Sequence, residues 1–125
     1  MFSYSLNLQD IDIDDTDYFI AKMPGGIASV DYLFSELVKN LLLPDYFGDN
    51  WNALSDCLQD FHWIPNHKII ILHEDLPTIP QEDLFLYLDV LRDAVEDWND
   101  DDEHSLEVVF PEHSKSKVES ILNQY

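Results

Sequence analysis

The residues able to do chemistry in this 125-residue chain are 26 Asp and Glu, five His and one Cys, set against only six Lys and Arg. Paired carboxylates serve as general acid and base when the environment raises the pKa of one of them. With 26 acids almost any fold brings some together, and no single one stands out as held in such an environment. Histidines bind metal when they recur on one helix face or beside cysteines. Here His62 and His67 flank Trp63 and Pro65, while His73, His104 and His113 fall near strand ends or in turns, so neither a metal nor another cofactor is expected. Cys57 would need an activated thiolate to act as a nucleophile, and it falls near the apolar side of a helix, where it reads as a buried structural residue. Three glycines (Gly25, Gly26 and Gly48) are too few for a phosphate-cradling loop. No catalytic constellation is assembled, and the chain reads as a non-enzyme.

Charge points instead to binding. The formal net charge is −20 and the pI near 4.1. Such a field repels nucleic acid and anionic membrane and speeds encounter with a cationic protein surface. The same excess of acid also serves solubility, or life in a salty cytoplasm, so charge bounds the partner class without naming it. A lone cysteine makes no internal disulfide, and the first basic residue is Lys22, which leaves no positively charged leader. No apolar run approaches the ~20 residues that span a bilayer. A cytoplasmic protein is expected.

The elements that must position these residues follow from periodicity. Residues 1–17 form an acidic N-terminal extension, read either as a short edge strand at 2–8 or as a solvated arm. Residues 18–23 form a short apolar run before Pro24-Gly25-Gly26, a buried strand. Ser29 caps a helix on which Val30, Leu33, Phe34, Leu37 and Leu41 recur at helical spacing, and Pro44 ends it. A second helix runs over about 50–61, with Trp51, Leu54, Leu58 and Phe61 on its apolar face and Asn52, Ser55, Asp56 and Gln59 opposite. Residues 68–73 are an isoleucine-rich run suited to the centre of a parallel sheet. A helix beginning after Pro80 carries Leu84, Leu88, Leu91 and Val95, residues 106–110 form a third strand, and Ser114 precedes a last helix through Val118, Ile121 and Leu122. Strands separated by helices predict parallel pairing: one small α/β domain, a three-stranded parallel sheet packed with about four helices. Residues 18–110 make up that domain, and 111–125 form a C-terminal helical extension packed on it.

One stretch rises above this background, Leu43-Pro44-Asp45-Tyr46-Phe47-Gly48-Asp49-Asn50-Trp51-Asn52-Ala53-Leu54-Ser55-Asp56-Cys57-Leu58. It is an aromatic loop delivering a helix with a polar outer face. Gly48 is expected to supply a backbone conformation that other residues resist, and Asn50 or Asp49 to cap the helix. Tyr46 and Phe47 read equally as interface anchors or as rings packed under the loop. Through Leu43-Pro44, Tyr46, Gly48, Asn50, Ala53-Leu54 and Asp56-Cys57-Leu58, the segment resembles the signature of the barstar family, intracellular inhibitors of barnase-type ribonucleases. Asp45, Phe47 and Asp49 are conservative changes from it. The order of strands and helices over 18–110 also agrees with that family's three-stranded parallel sheet, whereas 1–17 and 111–125 lie outside the resemblance.

The resemblance implies inhibition by occupation, in which loop and second helix plug a nuclease active site. Asp56 takes the place of the aspartate that lies where substrate phosphate binds, and it would pair with the enzyme's arginine and histidine groups. Tyr46 matches the loop aromatic that packs on the enzyme, Asn50 a polar residue at the helix start, and Asp93 a supporting acidic contact on the later helix. The binding face is thus expected to comprise Tyr46, Asp49, Asn50, Asn52, Ser55, Asp56, Gln59, Asp60 and Asp93. Two positions depart from the pattern: Asn52 stands where the family has an acid, and Ser55 where it has a tryptophan. They imply a shifted specificity, such as immunity to a different secreted or contact-delivered nuclease toxin. The alternative from another class is an acidic mimic of nucleic acid that binds some other basic protein through diffuse charge, Glu96 to Glu103 included. A metal-dependent hydrolase built from histidines and acids is the third reading.

Overall fold

The isoleucine run of β3 (Lys68–His73) is buried from Ile69 onward, which a strand tolerates when both sheet faces are covered. In the computed structural model, which describes residues 2–5, 18–45, 47–99 and 102–124, β3 lies between two parallel neighbours. These are β2 (Tyr18–Met23) and β4 (Ser105–Pro111), with Ala21, Ile71 and Val108 in register. A further strand, β1 (Ser3–Ser5), adds to the free edge of β4 in parallel, giving the order β1-β4-β3-β2. The sheet therefore has four strands, one more than the three expected. Tertiary contacts hold the extra strand: Ser3 Oγ donates to Glu107 Oε1 at 2.9 Å, and Phe2 meets Phe110 edge-on at 5.4 Å. The edge-strand reading of residues 2–8 holds for 3–5, and residues 6–8 lie outside the described residues.

Helices form the connections. Ser29 caps α1 (Val30–Leu41) by accepting from the Tyr32 amide at 3.1 Å, and Leu42 in left-handed conformation closes it ahead of Pro44. After the loop comes α2 (Trp51–Leu58), shorter than the expected 50–61. The long α3 (Gln81–Asp97) starts after Pro80 with Glu82 and Asp83 in its first turn, where the helix dipole favours acids. The last helix does not begin on a Ser114 cap: a 3₁₀ turn (Glu112–Ser114) intervenes with Ser114 buried in it, and α4 (Lys115–Gln124) follows. Among the described residues no helix is long and apolar enough to cross a membrane.

The main core lies on one sheet face, where Ile69, Ile71, Val108 and Phe110 meet Leu33, Leu37, Leu54, Leu58, Leu88 and Leu91. The other face carries a smaller cluster of Ile70, Leu72 and Val109 with Tyr18 and Ile20 against it. An eight-residue helix such as α2 is marginal by itself, and burial of Leu54 and Leu58, about 2 kcal/mol each, holds it in place.

Candidate functional site

The site is built on α2. Leu54, Cys57 and Leu58 are buried, and Trp51 packs on Phe34 at 4.8 Å and on Tyr87 of α3 at 6.2 Å. With that face fixed, Asn52, Asp56 and Gln59 are turned to solvent, while Ser55 is half-buried and accepts from Gln59 Nε2 at 3.3 Å. Asp60, just past the helix, is exposed and takes the His62 ring Nδ1 at 2.8 Å. Tyr46 lies outside the described residues.

The entry to α2 is tied by one side chain. Asn50 Oδ1 accepts from the Ala53 amide at 2.8 Å, capping the helix, while Asn50 Nδ2 donates to the Gly48 carbonyl at 3.0 Å. Asn50 is thus a positioning residue whose amide is engaged at both ends within the loop. The left-handed residue of this turn is Asp49 (φ 48°), not Gly48 as expected. Aspartate tolerates that region better than most residues because its short side chain bonds locally. Gly48 matters through close approach instead: a Cβ there would stand 3.2 Å from Asn50 Nδ2. Asn50→Ala is expected to lower stability by about 1 kcal/mol through loss of the cap. Urea melts of the two proteins check this, and equal midpoints would show that the cap contributes nothing.

The exit of α2 is tied to α3. Trp98 Nε1 donates to the carbonyl of Leu58, the last residue of α2, at 2.8 Å. Trp51 at the start of α2 faces Tyr87 in the first half of α3, so the two helices run in the same direction and their C-terminal ends meet. Phe61, buried with a left-handed φ of 53°, seals this junction against Trp63, Trp98 and His104. A second indole, Trp63, caps the end of α1 by donating to Leu41 O at 2.9 Å. Each bond satisfies a helix-end carbonyl otherwise left to water.

Helix C-termini carry partial negative charge and favour cations. Neither α2 nor α3 has a basic residue in its last turn. Instead Asp56 and Asp60 stand at the end of α2, and Asp93, Glu96 and Asp97 at the end of α3, all five exposed. Asp93 is held above the usual carboxylate range, first by partial desolvation and then by Asp89, with Glu96 and Asp97 adding to it and Arg92 opposing. The chain's single arginine, Arg92, is engaged by Asp89 of its own helix at 2.5 Å. Among the described residues no lysine or arginine forms an ion pair with Asp56 or Asp93. Burial, then Asp60 and Asp56, push the Cys57 thiol up, which disfavours the thiolate. Of the expected residues, Asp56, Gln59 and Asp60 lie at the C-terminal end of α2 and Asp93 one turn before the end of α3, whereas Asp49 and Asn50 lie at the opposite end of α2. Glu96 and Asp97 belong with the first group, and the missing basic residue in the last turn of α3 was the signal for them.

No curated protein matches the chain. The family described as Barstar (barnase inhibitor) matches residues 23–111, from the end of β2 to the end of β4. That span covers most of the chain together with the whole of the α2–α3 junction, and the chain belongs to the barstar family.

Proposed function

We propose that this protein binds and occludes the active site of a basic barnase-type ribonuclease or nuclease toxin, as inhibitor or immunity protein, with the α2 face mimicking substrate phosphate. The observation that carries the reading is the meeting of two helix C-termini with Asp56, Asp60, Asp93, Glu96 and Asp97 around them. That placement opposes what helix stability favours, so its return lies in a cationic partner. Asp56, exposed and without a basic partner among the described residues, is the phosphate mimic and engages arginine and histidine groups of the nuclease through charge-assisted hydrogen bonds. Asp93 supports it from α3. Asn52 and Ser55 present less charge and less bulk than an acid and a tryptophan would, which suits a partner other than barnase or a weaker hold on barnase itself.

Calorimetry and RNA cleavage assays with barnase and with nuclease toxins from the source organism test this reading. The expected result is stoichiometric binding that blocks cleavage and persists at about 1 M salt, where screening shortens charge interactions to ~3 Å. Binding that collapses with salt and leaves cleavage untouched would favour the diffuse acidic mimic instead.

A further inference from the structure

Among the described residues the exposed large hydrophobic side chains are Tyr32, Val38 and Leu42, and all three fall on α1 or its C-cap. Leu42 is 61% exposed and holds φ 55°, ψ 43°. A left-handed residue at a helix end is ordinarily glycine or asparagine, because a Cβ is penalised there. Neither the backbone nor hydration favours a leucine in that position, which points to a contact outside the chain.

One turn back, Val38 lines a groove of about 390 Å³ between α1 and the loop that follows it, together with Leu43, Pro44 and Phe47. Asp31, Asp45 and Asp49 line it as well. Asp49 also belongs to the turn that leads into α2, so the groove adjoins the N-terminal end of the helix whose C-terminal end carries the acidic junction.

We propose that this groove is a second contact for the same basic partner and receives an arginine side chain from it, with Leu42 packed on the partner's surface alongside; this rests on the inhibitor reading. Arginine fits because its aliphatic stem packs on the apolar lining residues while its planar guanidinium reaches the lining carboxylates. The apolar lining residues distinguish the groove from the α2–α3 junction, where acidic residues predominate.

Affinity for barnase tests the proposal through Leu42→Asn and Ser35→Trp, both at exposed positions on the outer side of α1. Leu42→Asn is expected to melt no lower than the parent, since asparagine suits the left-handed cap, yet to bind about five- to tenfold more weakly. Ser35→Trp fills the groove and should weaken binding at least about tenfold. Parent-like affinity in both variants, with Asp56→Ala still abolishing binding, would overturn the groove and leave the inhibitor reading in place. Should the parent fail to bind barnase, the groove is decided by NMR titration with N-acetyl-arginine-N-methylamide. Saturable shifts confined to Val38, Phe47 and Asp49 amides, lost in Ser35→Trp, support it. Shifts spread over the acidic surface, or equal shifts with the norleucine analogue, overturn it.

Discussion

Asp56→Ala is expected to abolish inhibition of the partner nuclease while leaving the fold as stable as before, or slightly more so. The side chain is exposed in the last turn of α2, a turn with no basic residue, and Asp60 follows four residues on. A carboxylate there meets the negative end of the helix and a like charge one turn away, both unfavourable to the free protein. In the complex the balance reverses. Once Asp56 is desolvated against the phosphate-binding groups of a nuclease, truncating it leaves those cations buried and unpaired. Such truncations cost about 2–5 kcal/mol, or roughly 30- to several-thousand-fold in Kd. Asp93→Ala, at the supporting position on α3, is expected to weaken binding less, by about tenfold. Thermal melts and calorimetry on the same samples separate the two effects. Tight binding by Asp56→Ala would remove it from the centre of the site. A lowered melting temperature would show instead that the carboxylate serves the fold.

What the sequence revealed of this arrangement depended on how local each determinant is. The central strand was legible because a run of isoleucines buried on both sides has few other uses. The Ser29 and Asn50 caps were legible because their bonds span three residues. β1 is ambiguous in the sequence because Ser3-Tyr4-Ser5 carries no apolar alternation, and its pairing comes from Glu107 and Phe110, more than a hundred residues away. The same limit applied to the site. Asp56 and Asp93 could be named from the family pattern, but that α2 and α3 run the same way and join at their ends depends on Trp98 reaching the Leu58 carbonyl. No periodicity encodes that bond. Glycine is the usual occupant of a left-handed turn, which points to Gly48 from sequence, whereas Asp49, which also tolerates that conformation, adopts it.

Acidification is expected to destabilise the domain through His73. This residue sits at the end of β3, fully buried, its ring stacked on Phe110 at 4.2 Å. Nδ1 lies 3.1 Å from the Val109 carbonyl, which only accepts, so Nδ1 carries the proton and Nε2 accepts from the Tyr87 hydroxyl at 2.6 Å. Burial pushes the Tyr87 hydroxyl well above its ordinary range, so it remains a donor. Burial lowers the His73 pKa from 6.5 to about 4, the Val109 hydrogen bond opposing. The folded state therefore holds the neutral ring that the unfolded chain protonates below 6.5. The stability due to the neutral ring is complete above pH 6.5 and is lost as pH falls towards about 4. The interval corresponds to about 3 kcal/mol. Relief of repulsion among the carboxylates acts the other way in part of this range, so the informative quantity is a difference between two proteins. In His73→Gln an amide can donate to Val109 and accept from Tyr87 without titrating. Between pH 7 and 4 the parent should lose about 3 kcal/mol more than this variant in urea unfolding. By NMR the His73 ring should stay neutral at pH 5. Parallel pH profiles for the two proteins would mean that His73 is protonated within the fold and that the Tyr87 hydroxyl turns to accept from it.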